Sequence, residues 1–386
     1  MEELQLKEHE VSRYAVIMQT LTNGTTSAQA ARMLGLSSRQ VFRLKAKVRV
    51  HGQAGVVHGN RGRIPAIAKS EELHDEVVAL YESDFFDFNF THFTEVLAEK
   101  HHITISDETV RRWLRAKGLG NPGKATRRRH FRKRERRARK GELIFLDGSP
   151  HPWLGKDRPP LTLILCSDDA TGEPLHGCFH SQETRNGCFE VLYRVFRRYG
   201  LPESLYIDRA SQFTTTRHDG VHRHQRDDKP TAFEIAMARL AIHPIFAHTP
   251  QAKGRIERLN GSFQGRLIAE LRYNNITTPE AATRYLNKTF IPNYARKFGV
   301  KPRHSVSAFR VRPKGLDLRT VLCAKTTRTV TNDNTISLNN RIFQLLPKAR
   351  TRVLAQSKVE VQEWFDGSIH VFHPRAGEVR TRELSQ

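Results

Sequence analysis

The sequence has few cysteines and no long apolar run, and both absences restrict the class of protein. Four cysteines occur among 386 residues, without a CxxC pair or a histidine at the usual zinc-ligand spacing. A disulfide framework and a structural zinc module are therefore not expected. No stretch approaches the roughly 18 apolar residues of a membrane span, and the opening MEELQLKEHE lacks the basic and apolar segments of a secretory signal. The sequence predicts a cytoplasmic protein that does not contact a membrane.

Acidic residues are scarce relative to basic ones. The chain has 64 Lys and Arg against 40 Asp and Glu, a formal net charge of +24. Residues 124–140 hold eleven of the basic residues and one acid, so we assign a basic linker to residues 119–141. Such a bias favours a nucleic-acid partner, although a basic surface that is merely solvated remains the alternative.

The pattern of residues 10–50 predicts a helix-turn-helix domain. Apolar residues at helical spacing surround a break at Leu34-Gly35-Leu36-Ser37, and a serine can cap the second helix. In a helix-turn-helix the second helix enters the major groove of DNA, whereas a plain helical hairpin would have no such role. The side chains that the second helix would present to DNA are Arg39, Gln40, Arg43 and Lys45.

A second helical DNA-binding domain is predicted for residues 69–118. Its last helix has basic residues beside an apolar stripe, namely Arg111, Arg112 and Arg115. The glycine-rich loop before it, residues 51–70, contains Arg61 and Arg63, which could follow a phosphate backbone. The same loop could equally be a flexible linker.

Residues 142–275 are predicted to form an α/β catalytic core. The order of elements is three strands joined by tight turns, a helix, a strand, a helix, a strand and a last helix. That order is typical of the ribonuclease H-like fold. Residues 326–386 are rich in strand and hairpin patterns, which predict a small SH3-like β-barrel. The predicted fold class is therefore multidomain, with an all-α N-terminal region, an α/β core and a C-terminal barrel.

Three acidic residues of the core are candidate metal ligands. Asp147 and Asp208 each end an apolar strand, and Glu257 lies in the last helix. Carboxylate oxygens suit Mg²⁺ or Mn²⁺, and two such ions can clamp the attacking and leaving oxygens of a phosphodiester. Asp168 and Asp169, by contrast, precede Ala-Thr-Gly and are interpreted as caps of a turn.

The helix of Glu257 has further polar residues that could contact DNA. Lys253 shares a face with Glu257 at i, i+4 spacing and could bind a substrate phosphate, or else form a weak surface salt bridge. The other candidates of this helix are Arg255, Arg258 and Asn260. The polar loop 217–230 contains three histidines, His218, His222 and His224, which we interpret as part of a phosphate-contacting insertion.

Four segments together resemble the integrase-core transposases of bacterial insertion sequences, in particular the ISNCY-type group. They are LDGSPHPWL, DDATG, YIDRASQF and TPQAKGRIERLNGSFQGRLIAELR. They are also similar to retroviral integrases. The resemblance covers residues 10–275 and implies that Asp147, Asp208 and Glu257 are the catalytic DDE triad. The spacing of 49 residues between Asp208 and Glu257 is longer than in many members; loop 217–230 accounts for the excess.

The resemblance implies a bacterial, nucleoid-associated enzyme with two Mg²⁺ or Mn²⁺ ions per active site. It would bind the terminal inverted repeats of its own element and target DNA, both double-stranded, as at least a homodimer. It would then cleave and join the DNA strands. Two alternatives stay open at this point. One is a domesticated transposase that regulates by binding DNA without cutting, and the other is a nuclease that cleaves without joining.

Overall fold

A computed structural model of the chain describes residues 6–61, 69–122, 135–208, 230–246, 254–346 and 354–384. The contacts divide the chain into two units, residues 1–75 and 76–386. Within the described ranges no helix is long and apolar enough to cross a membrane.

The first unit is a group of helices around a small apolar cluster. Helices α2 and α3 each begin with a capping box, Thr26 with Gln29 and Ser37 with Gln40, which satisfies the free N–H groups of the first turn. Between them Gly35 takes a φ of +63°, a backbone conformation that favours glycine. The helices are α1 (Glu8–Leu21), α2 (Ser27–Leu34) and α3 (Ser38–His51), followed by a 3₁₀ turn (Gly52–Val56). The cluster contains Ile17, Ala30, Ala31, Val41, Val48 and Val56.

Three more helices form an aromatic-rich group that packs against the core of the second unit. They are α4 (Glu71–Ser83), α5 (Phe90–Lys100) and α6 (Asp107–Ala116). Tyr81, Phe85 and Phe93 are almost completely buried, and Phe85 stacks on Tyr273 of the core with ring centroids 4.9 Å apart. The helical group and the core therefore share one packed interface.

A five-stranded mixed sheet forms the centre of the second unit, in the order β3-β2-β1-β4-β5. Strands β1 to β3 are antiparallel neighbours, whereas β4 runs parallel to β1 and β5 parallel to β4. The strands are β1 (Leu143–His151), β2 (Leu161–Asp168), β3 (Pro174–His180), β4 (Ser204–Ile207) and β5 (His243–Phe246).

Helices cover both faces of this sheet. Alternate residues along a strand point to opposite faces, and apolar residues occur on both faces. One face, which includes Ile164 and Cys178, packs against α7 (Arg185–Tyr199) and α8 (Ala232–Arg239). The other, which includes Leu163 and Phe179, packs against four helices. These are α9 (Gly254–Gln264), α10 (Leu267–Tyr273), α11 (Pro279–Tyr285) and α12 (Ile291–Phe298), with a π-helical turn (Leu286–Phe290) before α12. The described elements thus follow the predicted order, and α11 and α12, beyond residue 275, add to the same core.

The C-terminal strands form a curled antiparallel sheet of their own, in the order β6-β9-β10-β11-β8-β7. Its inner face is an aliphatic cluster centred on Val361 and Val371. Tyr193 of α7 contacts Phe365 beside this sheet, so the sheet packs on the helix that covers the core. The strands are β6 (Cys323–Thr329), β7 (Thr335–Leu338), β8 (Arg341–Leu346), β9 (Lys358–Trp364), β10 (Ile369–His373) and β11 (Gly377–Leu384).

Candidate active site

Asp147 lies on β1, and Asp208 directly follows β4, the parallel neighbour of β1. The register pairs Phe145 of β1 with Tyr206 of β4, and each aspartate is two residues further along its strand direction. Because side chains alternate across a strand, each aspartate faces the same side as the residue it follows. Phe145 and Tyr206 both contact the apolar cluster around Ile256 of α9. The register therefore places Asp147 on the sheet face that α9 covers and Asp208 just after the adjacent strand.

Helix α9 is attached to β1 at the position of Asp147. The Asn260 side chain is 6% exposed, and its Nδ2 donates a hydrogen bond of 2.9 Å to Oδ2 of Asp147. One turn further on, Nε2 of Gln264 donates to Oγ of Ser149 at 3.1 Å. Glu257 is exposed and lies one turn before Asn260, so the two share a helix face. Asn260 thus positions the Asp147 carboxylate.

The buried thiol of Cys188 on α7 lies within the negative field of these carboxylates. Burial raises its pKa well above the ordinary value, and the charges of Glu183, Asp208 and Asp147 raise it further. Its Sγ also contacts Oε1 of Glu183 at 3.9 Å, so Cys188 lies beside the segment that leads from β3 into α7.

Glu183 is an acidic residue beside β1 that the sequence analysis missed. It lies in the segment between β3 and α7, outside any recognised motif, and its carboxylate occupies the space where a Cβ of residue 148 would be. The only sequence signal was Gly148 itself, because a glycine within a strand often marks a close approach. Any side chain at position 148 would displace Glu183.

The adjacent aspartates Asp168 and Asp169 have structural roles; Asp168 caps the turn as predicted, whereas Asp169 bonds to residues outside the turn. Asp168, 1% exposed, accepts hydrogen bonds from the backbone N–H groups of Gly141 at 2.7 Å and Thr171 at 2.9 Å. Asp169 is completely buried, accepts from the N–H of Arg137 at 2.8 Å, and forms an ion pair with Arg255. Arg255, a candidate DNA contact, is thus engaged inside the protein.

The candidate DNA contacts of the helical groups differ in whether their side chains are exposed and whether they already form bonds within the protein. Arg39 and Arg43 are exposed on α3, but Oε1 of Gln40 accepts hydrogen bonds from Ser37 in the capping box. Nη1 of Arg61 is 2.7 Å from Oε2 of Glu10.

The other candidates are distributed as follows. Lys45 of α3 is half-buried. On α6, Arg112 and Arg115 are exposed, whereas Arg111 forms an ion pair with Glu108 at 2.9 Å. Arg258 is exposed and its Nε donates to the carbonyl of Gly254 at 2.8 Å. Arg63, Lys253 and the histidine-containing loop lie outside the described residues.

Comparison with known proteins identifies the family, although no family model matches the chain. The chain is 32% identical over 367 residues to the putative transposase y4bF of Sinorhizobium fredii, across 95% of this chain and 79% of that protein. It is 31% identical over 405 residues to the transposase for insertion sequence IS1202 of Streptococcus pneumoniae, across 94% of this chain and 84% of that protein. The chain belongs to the insertion-sequence transposases.

This transposase is accordingly a DDE-type polynucleotidyl transferase, which cleaves DNA strands and joins them in transposition. Solved structures with lower similarity include a simian T-cell lymphotropic virus intasome, 14% identical with a TM-score of 0.31 over 79% of this chain and 99% of that chain. Another is the HTLV-2 integrase catalytic core domain in complex with magnesium, 14% identical with a TM-score of 0.28 over 40% of this chain and 91% of that chain.

Proposed function

We propose that Asp147, Asp208 and Glu257 form the catalytic centre with which this transposase cuts the ends of its element and joins them to target DNA. One observation carries the proposal. The helix of Glu257 donates a hydrogen bond through Asn260 to Asp147, on the strand parallel to the one that Asp208 follows. This contact and this pairing support the grouping of three acidic residues that are far apart in sequence. We propose that the core is ribonuclease H-like.

The side chains of this region fit divalent metal ions. They offer hard carboxylate oxygens, which Mg²⁺ and Mn²⁺ prefer. After burial, the charges of Asp208 and Asp147 are among the causes that raise the pKa of the nearby Cys188 thiol. Two bound ions would supply the charge that activates the attacking oxygen and stabilises the leaving 3′-oxygen. Asp147, Asp208 and Glu257 would hold the ions, while Asn260 keeps the Asp147 carboxylate in one orientation. Because Glu257 is exposed, DNA can reach this edge of the sheet.

The helical regions would bind the DNA on which the catalytic centre acts. We propose that residues 10–50 are a helix-turn-helix domain for the terminal inverted repeats, because Arg39 and Arg43 are exposed on α3. Residues 69–118 would contact further DNA through Arg112 and Arg115. The linker 119–141 would neutralise phosphates, and residues 326–386 would form an SH3-like barrel.

Two ends of an element must be joined together, so we propose that at least two copies of the chain assemble on the DNA. Each copy would act on one end. Cleavage and joining would take place at the nucleoid, in the bacterial cytoplasm.

The proposal is tested by neutralising the triad. We expect no cleavage or joining of end-containing DNA by Asp147→Asn, Asp208→Asn or Glu257→Gln, because each substitution removes the charge of a metal-binding carboxylate. Binding of the same DNA should stay near the wild-type level, because the size and shape of the side chain are kept. Asp157→Asn and Glu280→Gln are matched controls at exposed positions. A triad variant with full activity would refute the assignment. Wild-type protein that binds the ends without cutting would indicate a regulator, and cleavage without joined products would indicate a nuclease.

A further inference from the structure

A second cluster of metal-ligating side chains lies between the edge strand β3 and helix α7, apart from the triad. Cys178 of β3 is buried and faces α7, with His176 and His180 on the same side of the strand because side chains alternate. Helix α7 presents Glu190 to this side. The ligand atoms of Cys178, His180 and Glu190 all lie within 4.8 Å of one another.

The spacing in this cluster suits a shared ion better than direct hydrogen bonds. Nε2 of His180 is 3.6 Å from Oε2 of Glu190, which is too long for a hydrogen bond. Two ligand atoms at ~2.0–2.2 Å from one tetrahedral ion are themselves about 3.3–3.6 Å apart. Sγ of Cys178 makes a weak hydrogen bond of 3.6 Å with Nε2 of His176, which places His176 beside the cluster.

The ring of His180 has a buried nitrogen that lacks a partner. Nε2 is shielded from solvent and makes no hydrogen bond within the described part of the chain, and such atoms are rare because an unpaired buried polar group is costly. Gly187 of α7 makes room for it, since a Cβ at that position would be 3.1 Å from Nε2. The helix is thus shaped to admit this nitrogen beside Glu190.

Two arginines of α7 compete with an ion, because Arg194 and Arg198, after burial, lower the pKa of His176. The geometry of Arg194 limits its competition. Nη2 of Arg194 lies 3.6 Å from Oε1 of Glu190, on the carboxylate oxygen that does not face His180. A partner on that oxygen orients the carboxylate and leaves Oε2 for a metal, as is common around metal ligands.

We propose that Cys178, His180 and Glu190 bind a transition-metal ion, with Zn²⁺ as the best fit. A thiolate and an imidazole select Zn²⁺ over Mg²⁺, which takes oxygen ligands. The thiol proton is released to solvent when the ion binds, and water or His176 fills the fourth position. The ion ties the edge strand β3 to α7, the helix that begins just after Glu183 and carries Cys188. The inference does not depend on the assignment of the triad. Sequence spacing alone missed the site because Glu190 is supplied by a different element.

The test uses Co²⁺, which replaces Zn²⁺ and gives a near-ultraviolet charge-transfer band only when a thiolate is a ligand. Full-length protein stripped with a chelator is titrated with Co²⁺ and then with Zn²⁺. We expect a band that saturates at one ion per chain and disappears when Zn²⁺ is added. The band should be absent in Cys178→Ser and should need at least about tenfold more Co²⁺ in Glu190→Gln.

Two control variants separate this site from other cysteines and from the catalytic centre. Cys323→Ser retains a hydroxyl that can replace the weak Sγ contact with the carbonyl of Thr320, and it should keep the band. Asp147→Asn should also keep it. If Cys178→Ser does not fold, the shifted titration of Glu190→Gln still decides the question. A wild-type protein without the band at millimolar Co²⁺, a band that survives Cys178→Ser, or an unshifted Glu190→Gln titration would overturn the proposal.

Discussion

Several side chains that sequence patterns assign to DNA have partners within the protein. Arg255 pairs with the completely buried Asp169, and the amide of Gln40 completes a capping box. The sequence cannot reveal such partners, because Asp169 and Arg255 come from different elements separated by 86 residues. A basic residue in a predicted DNA-binding helix is therefore a DNA contact only if no internal carboxylate binds it.

Arg255→Ala should destabilise the protein. Removing one partner of a buried ion pair leaves the other charge desolvated, at a cost of roughly 3 kcal/mol. Arg258→Ala, at the exposed neighbouring position, should change the stability by less than about 0.5 kcal/mol. Melting temperatures of both variants without DNA measure the difference, and equal values would show that Arg255 has no structural role.

At the scale of elements, α3 is the helix whose DNA binding can be tested most cleanly. Arg39→Ala and Arg43→Ala should weaken binding to DNA containing the element's ends. Replacing an arginine that neutralises one phosphate should also make the slope of log K against log salt shallower by about one. Arg49→Ala is the control, because Arg49 is an exposed arginine on another face of the same helix. Binding isotherms at several salt concentrations provide the readout, and an equal weakening in Arg49→Ala would mean that α3 contributes only general charge.

Local patterns predicted individual elements well, and long-range packing poorly. The serine cap of α3, the three strands joined by turns and the helix that follows them all agree with the structure, because each depends on neighbours in sequence. The site was predicted only in part for the same reason. Asp147, Asp208 and Glu257 end or occupy recognisable elements, whereas Glu183 lies outside any motif and reaches Gly148 only through the fold.

At the scale of the larger unit, ion pairs attach α5 to the helices of the core. Both oxygens of Glu95 accept from Arg266, at 2.6 and 2.9 Å, and Lys297 donates to one of them at 2.8 Å. Burial raises the pKa of Glu95, but the hydrogen bonds and charges of Arg266 and Lys297 outweigh burial and lower the pKa below the usual 4.5. The helical group and the core should consequently lose part of their attachment in acid.

Glu95→Gln should lower the melting temperature at neutral pH, with a loss of about 1–3 kcal/mol from the charged hydrogen bonds. The pKa of Glu95 is lower in the folded state than in the unfolded state. Its contribution to the free energy of unfolding is therefore fully present at a pH above the unfolded-state pKa, and it is lost as the pH falls through the folded-state pKa. Thermal melts from neutral pH to ~pH 3 should therefore show that the difference in melting temperature between wild type and Glu95→Gln becomes smaller in acid. Glu82→Gln, at an exposed position of α4, is the control. A difference that stays constant with pH would contradict this account.

The central claim is that Asp147 and Asp208 are metal ligands, and replacing each by cysteine tests it most directly. A thiolate is a poor ligand for Mg²⁺ but an acceptable one for softer ions such as Mn²⁺. Strand transfer on DNA containing the element's ends would be measured in Mg²⁺ and in Mn²⁺ for wild type, Asp147→Cys and Asp208→Cys. We predict that wild type is active in both ions, whereas each cysteine variant is inactive in Mg²⁺ and recovers activity in Mn²⁺. Cysteine variants with wild-type activity in Mg²⁺ would contradict the assignment.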